Sequence, residues 1–449
     1  MSKLQNIPEF NSNQSIRISP NTSVPVTDRI LELIDSKTFQ RLRGIRQLSL
    51  GERVYPSATH SRFSHALGVY WNVLDYLRQL DQYAVFSDQR DETDYISIML
   101  AALLHDVGHY PFSHQLDNLP LFPKHEELTI DLITGKLQLF GENLGEKIQS
   151  LFGITPERVA SHLNPKVKVN GGAALLRQII DSPLDADKCD YLPRDSYFCG
   201  VDFGSAFDRS RLIANLLPDK DGERIAIHEK GLVSAERFQL ARYWMYRSVY
   251  WGHTVRSFIT MLIQAGRRVQ GVEEGDSWRK QLLNFSDQDF LHWLYSACDD
   301  IGREFISMLN VKRQPYKRLL TISCHHSPQE YQALQEKVNR DHVRDTMKSW
   351  GQARGVEIPD HYLIWDVPPL YKTSKWETFP VVLMEGEEVP IENESPVVSA
   401  LGPAFLNGVR KIRLFYHPSL TKALPMEEIP DISELLNDHL SSKPDDSVI

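Results

Sequence analysis

The stretch "LLHDVGHYPFSH" (103–114) sets His105, Asp106, His109 and His114 at the end of an apolar run, and its reading decides the fold. From Ile96 to Leu104 the only polar residue is Ser97. The run is too continuous to show one face, but its Ala and Leu content and its place among helices predict a buried helix. Gly108 and Pro111 just beyond are helix breakers, so His105 and Asp106 can turn from the helix end toward one point. A hydrophobic helix that delivers imidazole and carboxylate to its own end builds a metal site that is dry on one side, with His109 and His114 in the loop that follows. A single His at a helix C-terminus is ordinarily a cap that suits the dipole. Four so close together are different, because burying several unpaired rings costs roughly a few kcal/mol each unless something binds them. A metal with an oxyanion is the simplest such partner.

Six of the sixteen histidines (60, 65, 105, 109, 114 and 125) fall within 66 residues of a 449-residue chain, well above an even spread. Around them the pattern is helical from Arg29. Leu67, Tyr70, Trp71, Leu74 and Leu77 recur at three- and four-residue spacing, and residues 232–265 read as one long helix with Ser234 as its N-cap. After about residue 305, β-branched and aromatic runs appear at 319–324, 362–367, 379–385 and 411–417, with a charged helix over 328–350 between the first two. The expected fold is therefore mainly α, a helical core over 29–305 with a smaller α+β lobe over 306–440. Residues 1–28 are expected to be an extended lead-in and 441–449 a disordered tail.

Composition narrows the class. With 41% hydrophobic and 24% charged residues the chain is ordinary for a folded protein. Its four cysteines form no CxxC pair, which argues against a disulfide scaffold and for a reducing compartment. The N-terminus carries no apolar signal core and no 18-residue apolar stretch occurs, so the expectation is a cytoplasmic protein without a membrane partner. A formal charge of −9 speaks against a main task of gripping nucleic acid. The basic patch "VKRQPYKR" (311–318), with Lys312, Arg313, Lys317 and Arg318, reads more readily as a solvated linker than as a single-strand binding site.

"HDVGHYPFSH", preceded by "THSRFSHALGVY" (59–70) and followed by "DADKCDYLPRD" (185–195), resembles the HD-domain metal-dependent phosphohydrolases. More narrowly it is similar to the branch that holds the bacterial deoxynucleoside triphosphate (dNTP) triphosphohydrolases and the vertebrate dNTPase with a sterile alpha motif. "FQRLRGIRQL" (39–48), "RDSYFCGVDFG" (194–204) and "ARYWMYRSVYWGHT" (241–254) extend the match over roughly residues 30 to 260. The resemblance implies an HD-domain helical core and a divalent metal held by His65, His105, Asp106 and Asp187. Two imidazoles and two carboxylates suit Mn, Fe, Mg, Ni or Zn, among which sequence does not choose. It implies that His109 and His125 bind or polarise phosphate, that His114 is the general acid for the departing 5′ oxygen, and that Asp117 orients nearby histidines. Arg62 and Lys188 match phosphate-contacting positions. Gln47 and Leu48 match positions that test the 3′ hydroxyl and exclude a 2′ hydroxyl, while Tyr191 and Asp195 match the sugar-facing pair. Arg242 and Tyr250 match nucleotide-lining positions, and Tyr246 lies between them on one helical face.

The implied reaction is hydrolysis of a dNTP to deoxynucleoside and inorganic triphosphate. Its alternatives are an HD phosphohydrolase for another nucleotide phosphate ester and a catalytically silent nucleotide sensor. Relatives carry a "DPxHG" block before "FQRLR" that belongs to an activator site at a subunit interface. Here "IRISPNTSVPVTDRILELID" (16–35) stands in its place, although Asp35, Gln40 and Arg43 match neighbouring positions that read a nucleotide activator. "QLS" replaces "QLG", and Pro193 inside "DYLPRD" disfavours helix at Leu192. The resemblance further implies a homo-oligomer, from dimer to hexamer and commonly a tetramer.

Overall fold

The computed structural model describes residues 3–429 apart from Asn21, 169–170 and 369–377, together with Asp431 and Leu436. The tail expected at 441–449 lies outside the described residues. The fold is mainly α with small sheets, as expected. No helix among the described residues is long and apolar enough to cross a membrane.

Four helices frame the residues of interest: α1 (Arg62–Leu80), α2 (Glu92–Leu104), α3 (His125–Ile133) and α4 (Ala186–Cys199). Helix α2 starts where Asp91 accepts from the Asp94 backbone N–H while the Asp94 carboxylate accepts from that of Asp91, a reciprocal cap that satisfies two orphan donors. From Tyr95 to Leu104 every side chain is buried, so the apolar run is a helix enclosed on all sides. Helix α1 was expected to bury one stripe. It buries nearly its whole circumference, Arg62, His65 and Asn72 included, and leaves Trp71 only half-buried. Polar groups so placed need partners, and Asn72 finds one by donating to the Ala186 carbonyl at 2.8 Å.

Helix α4 runs uninterrupted through Pro193, against expectation. The ring removes the N–H that would bond the Cys189 carbonyl, a loss of about 3 kcal/mol in an exposed helix. Burial of Cys189, Asp190, Leu192, Arg194 and Asp195 against the surrounding helices outweighs it. The long helix expected over 232–265 is instead α5 (Leu232–Met245), a π-helical turn (Tyr246–Tyr250) and α6 (His253–Gly266). Ser234 lies buried inside the first turn of α5 rather than capping it.

The chain forms two compact units that interleave in sequence. One comprises Met1–Met245, Gly271–Trp293 and Glu377–Leu401, the other Tyr246–Gln270, Leu294–Trp376 and Gly402–Ile449. The boundary expected near residue 305 falls inside the second. The stretch 1–28 carries an antiparallel hairpin, Ser15–Ile18 with Thr22–Pro25, and buries Leu4, Ile7, Val24 and Val26. In the first unit, Ile225–His228 pairs antiparallel with Leu216–Pro218 and parallel with Pro380–Val382, which pairs in turn with Glu388–Pro390. The apolar run at 379–385 was expected in the C-terminal lobe. It enters this sheet because a buried parallel position accepts Val381 without polar compensation.

In the second unit Lys411–Tyr416 is the central strand, flanked antiparallel by Lys317–Ser323 and Leu363–Asp366. Its core gathers Val343, Met347 and Trp350 of α7 (Lys337–Gln352) against Leu363, Ile412 and Leu414. Lys317 and Arg318 of the basic patch open a strand, so that part of the patch is not a linker.

Candidate active site

Three helix ends bring the first cluster together. His65 lies in the first turn of α1, His105 and Asp106 follow α2, and Asp187 is in the first turn of α4, whose N-cap Asp185 accepts from the Lys188 N–H at 2.7 Å. Ligand atoms of His65, His105 and Asp106 all lie within 4.8 Å of one another. His65 Nε2 is 3.0 Å from Asp187 Oδ1, and His105 Nε2 is 3.3 Å from Asp106 Oδ1 and 3.9 Å from Asp187 Oδ1. On the outer side His65 Nδ1 meets Asp190 Oδ2 at 2.8 Å, and His105 Nδ1 meets the Ala102 carbonyl at 2.8 Å. An Nδ1–H donated outward leaves the Nε2 lone pair facing the cluster, the arrangement a ligating imidazole uses.

Charge says the same. Burial on its own would lower His65, yet Asp187 and Asp190 outweigh it and raise the imidazole to about 10. Burial likewise would raise Asp106, but His105 and Arg62 hold its carboxyl well below the usual range. The cluster demands positive charge at its centre, and a divalent cation satisfies that demand with the mixed nitrogen and oxygen donors present.

The second cluster adjoins the first through Asp106. His109 Nε2 is 3.1 Å from Asp106 Oδ1, and its Nδ1 is 2.6 Å from Ser113 Oγ. The His109 and His125 rings stack at 4.0 Å, and His114 meets them edge-on at 4.7 and 4.5 Å. His125 Nδ1 is 2.9 Å from Asp117 Oδ2. Gly108 lets this turn close on α3, since a Cβ there would stand 2.2 Å from the Thr129 backbone N. Thr129 Oγ1 then accepts from the Gly108 N–H at 3.0 Å and donates to the His105 carbonyl at 3.2 Å. Burial, then the charges of Arg62 and His125, pushes His109 well below the ordinary histidine range. The same causes lower His114, although its ring is open to solvent and water offsets part of that effect. Both rings are neutral at neutral pH.

The chain as a whole resembles known proteins. Residues 62–192 match the HD domain and 207–420 the HD associated region. The chain carries an HD domain. Among curated proteins it is 34% identical over 252 residues to the uncharacterized protein YwfO of Bacillus subtilis, covering 56% of this chain and 54% of that one. It is 28% identical over 295 residues to the deoxynucleoside triphosphate triphosphohydrolase SAMHD1 homolog of Dictyostelium discoideum, covering 62% and 52%. The chain thus spans little more than half the length of these relatives. A crystal structure of a hypothetical protein from Aquifex aeolicus superposes with a TM-score of 0.71 at 25% identity, covering 92% of this chain and all of that one.

The other residues singled out in the sequence differ in their surroundings. Arg62 is buried and donates to Asp106 Oδ2 at 2.7 Å, while Lys188 Nζ is held by Asp185 Oδ2 at 2.5 Å and the Ser182 carbonyl at 3.0 Å. Neither is a solvated surface cation. Gln47 donates its backbone N–H to the His60 carbonyl at 3.0 Å and keeps a buried side-chain Oε1 without a partner, and Leu48 precedes the short 3-10 turn Ser49–Arg53. Asp195 is buried against His60 Nε2 at 2.7 Å. Tyr191 sits half-buried on α4, and the Arg242 charge reaches Lys188. Tyr246 and Tyr250 belong to the second unit, where their rings meet at 5.0 Å and Tyr246 also meets Phe405 at 5.2 Å. Gln40 Oε1 accepts from Arg43 Nε at 2.7 Å, Arg43 lies over the Phe63 ring at 3.5 Å, and Asp35 is exposed at the end of the helix Asp28–Ile34.

Several partners in and around the HD domain were not singled out beforehand. Asp190, Arg194, Ser113 and Thr129 hold the site side chains from behind, as does His60, which the sequence places in the histidine cluster without a role. Asp287 is another: its Oδ2 accepts from the Arg46 N–H at 2.9 Å, and its Oδ1 is buried without a partner. Burial, opposed by the Arg46 N–H, pushes this carboxyl up to about 7. The folded state then holds a proton that the unfolded state releases near pH 4, so stability falls as pH rises from about 4 to about 7, by roughly 4 kcal/mol. Asp287→Asn cannot ionise. Between about pH 5 and about pH 8 it is expected to lose markedly less stability than the wild type, and equal losses by denaturant unfolding at the two pH values would refute the assignment.

Proposed function

We propose that this protein is a metal-dependent dNTP triphosphohydrolase that releases deoxynucleoside and inorganic triphosphate. The observation that carries the reading is the junction of the two clusters at Asp106, which sets a cation-demanding donor set 3.1 Å from His109, one of a trio of packed imidazoles. His65, His105, Asp106 and Asp187 would hold the ion. When bound, it supplies Lewis acidity and charge neutralisation at the α-phosphate. His109 and His125 face the phosphate, with Ser113 and Asp117 fixing their rings. Arg62 and Lys188 add positive charge, although each is engaged by a carboxylate until substrate competes for it. As water oxygen bonds the α-phosphorus, the bond to the 5′ oxygen breaks and that oxygen needs a proton. His114 is neutral without ligand, and the approach of a polyphosphate raises its basicity so that it can hold and deliver one.

Gln47, Leu48, Tyr191 and Asp195 form the sugar-facing set, with Arg242 next to Lys188. Tyr246 and Tyr250 enter the proposal by resemblance only, as do self-association, with the tetramer favoured, and a nucleotide activator read by Asp35, Gln40 and Arg43. The test is chromatographic product analysis with each dNTP singly and all four mixed, in the presence of each candidate metal. Deoxynucleoside plus triphosphate is expected, and turnover confined to the mixture would reveal an activator. Orthophosphate as the sole phosphorus product would move the reading to another nucleotide ester, and silence in every mixture would sink it.

A further inference from the structure

Within the second unit, apart from the HD motif, α6, α7 and the strand Leu363–Asp366 border a half-open cavity of about 530 Å³, a size suited to a small molecule. Six cations line it, Arg256, Arg267, Arg268, Lys337, Arg340 and Arg344, against three carboxylates. Those carboxylates are already engaged. Asp366 is held by Arg256 at no more than 3.2 Å and by Arg413 at 3.3 Å, Asp341 by Arg344 at 3.2 Å, and Asp360 by Lys348 at 2.6 Å. Arg268 turns to Asp299 at 3.0 Å. Among the described residues no carboxylate lies within salt-bridge distance of Arg267, Lys337 or Arg340. Arg340 spends one nitrogen on the Leu334 and Gln335 carbonyls, at 2.6 and 2.7 Å, which orders the side chain without neutralising it.

Concentrating like charge in this way is unfavourable unless an anion offsets it. Burial holds Arg340 below the ordinary arginine range; Asp341 pulls it back, and the neighbouring charges of Arg344 and Arg267 push it further down. Two further donors of lining residues, Arg344 Nε and Trp365 Nε1, are buried without an acceptor, against one acceptor, Asp341 Oδ1, that is ion-paired with Arg344 but makes no hydrogen bond. The cavity therefore offers donors and charge in excess of acceptors. Forked guanidinium groups match phosphate oxygens in geometry as well as charge.

We propose that this cavity is a binding site for a small anion carrying two or more linked phosphates, separate from the HD motif. Such an anion is either an inorganic polyphosphate or the phosphate chain of a nucleotide. The site does not depend on the proposed hydrolysis. Its test uses the full-length chain carrying His105→Ala/Asp106→Ala, which cannot turn a ligand over, and calorimetric titration without divalent metal. The probes are inorganic triphosphate, ATP and orthophosphate. A saturable site for triphosphate and ATP is expected, at least about tenfold weaker for orthophosphate, and weakened at least about tenfold by adding Arg267→Ala/Lys337→Ala. Both of those side chains are exposed, so the fold should be undisturbed. ATP binding no tighter than triphosphate assigns an inorganic polyphosphate, and tighter ATP binding assigns a nucleotide. Absence of saturable binding, or binding that the double substitution leaves unchanged, overturns the proposal.

Discussion

Asp106→Ala is expected to lower phosphohydrolysis by at least about a thousandfold, the scale on which removal of a central electrostatic group acts in a dry site. The reason lies in how many groups share this one carboxylate. Its Oδ1 is 3.3 Å from His105 Nε2 and 3.1 Å from His109 Nε2, and its Oδ2 accepts from Arg62 at 2.7 Å. Removing it takes one carboxylate from the proposed metal-holding set, lets Arg62 swing free and frees His109 from its anchor. Metal content should fall with activity, which element analysis of the purified variant reports. A merely structural role predicts otherwise: a folded variant that still binds metal and retains more than about a tenth of wild-type turnover would show that the chemistry does not pass through Asp106.

The pattern that made this site legible in the sequence was local. An apolar run can end in His105 and Asp106 only if the helix stops there, and Gly108 does more than stop it, because its missing side chain admits α3 to contact. The helix boundary and the histidine cluster thus carried their own physical reasons. Arg62, Asp106 and Asp187 are brought together from three separate helix ends, and that convergence was available only through resemblance. The orienting residues were illegible for a related reason: Asp190 looks like an ordinary polar position, and His60 like a cluster member without a role, until their partners, 125 and 135 residues away, are known. The helix through Pro193 departs from expectation because tertiary burial overrode local preference, whereas the strand Pro380–Val382 forms as expected but joins a sheet of the first unit, a pairing that local preference does not specify. The interleaving of two units is likewise a property of packing that no window of sequence displays.

Asp190→Ala is expected to unfold the protein more readily by about 3 to 5 kcal/mol, the penalty for leaving a buried cation unpaired. Arg194 is buried and commits two nitrogens to Asp190, at 2.8 and 2.7 Å, while Asp190 also meets His65 Nδ1 at 2.8 Å. Burial opposes ionisation here, but the Arg194 charge prevails and holds the carboxyl down to about 2, so the pair is ionic throughout the working range. Space is equally tight. A Cβ on Gly68 would stand 1.8 Å from Asp190 Oδ1, so the helix crossing of α1 and α4 is built around this carboxylate. Stability and positioning can be separated by adding Arg194→Met, which removes the stranded charge. The double variant should recover part of the denaturant midpoint. Yet His65 would still lack the partner that fixes its ring, so metal affinity should stay about 10 to 100-fold weaker than wild type. Recovery of both quantities together would mean that Asp190 only neutralises Arg194; recovery of stability alone would make it the residue that aims His65 at the metal.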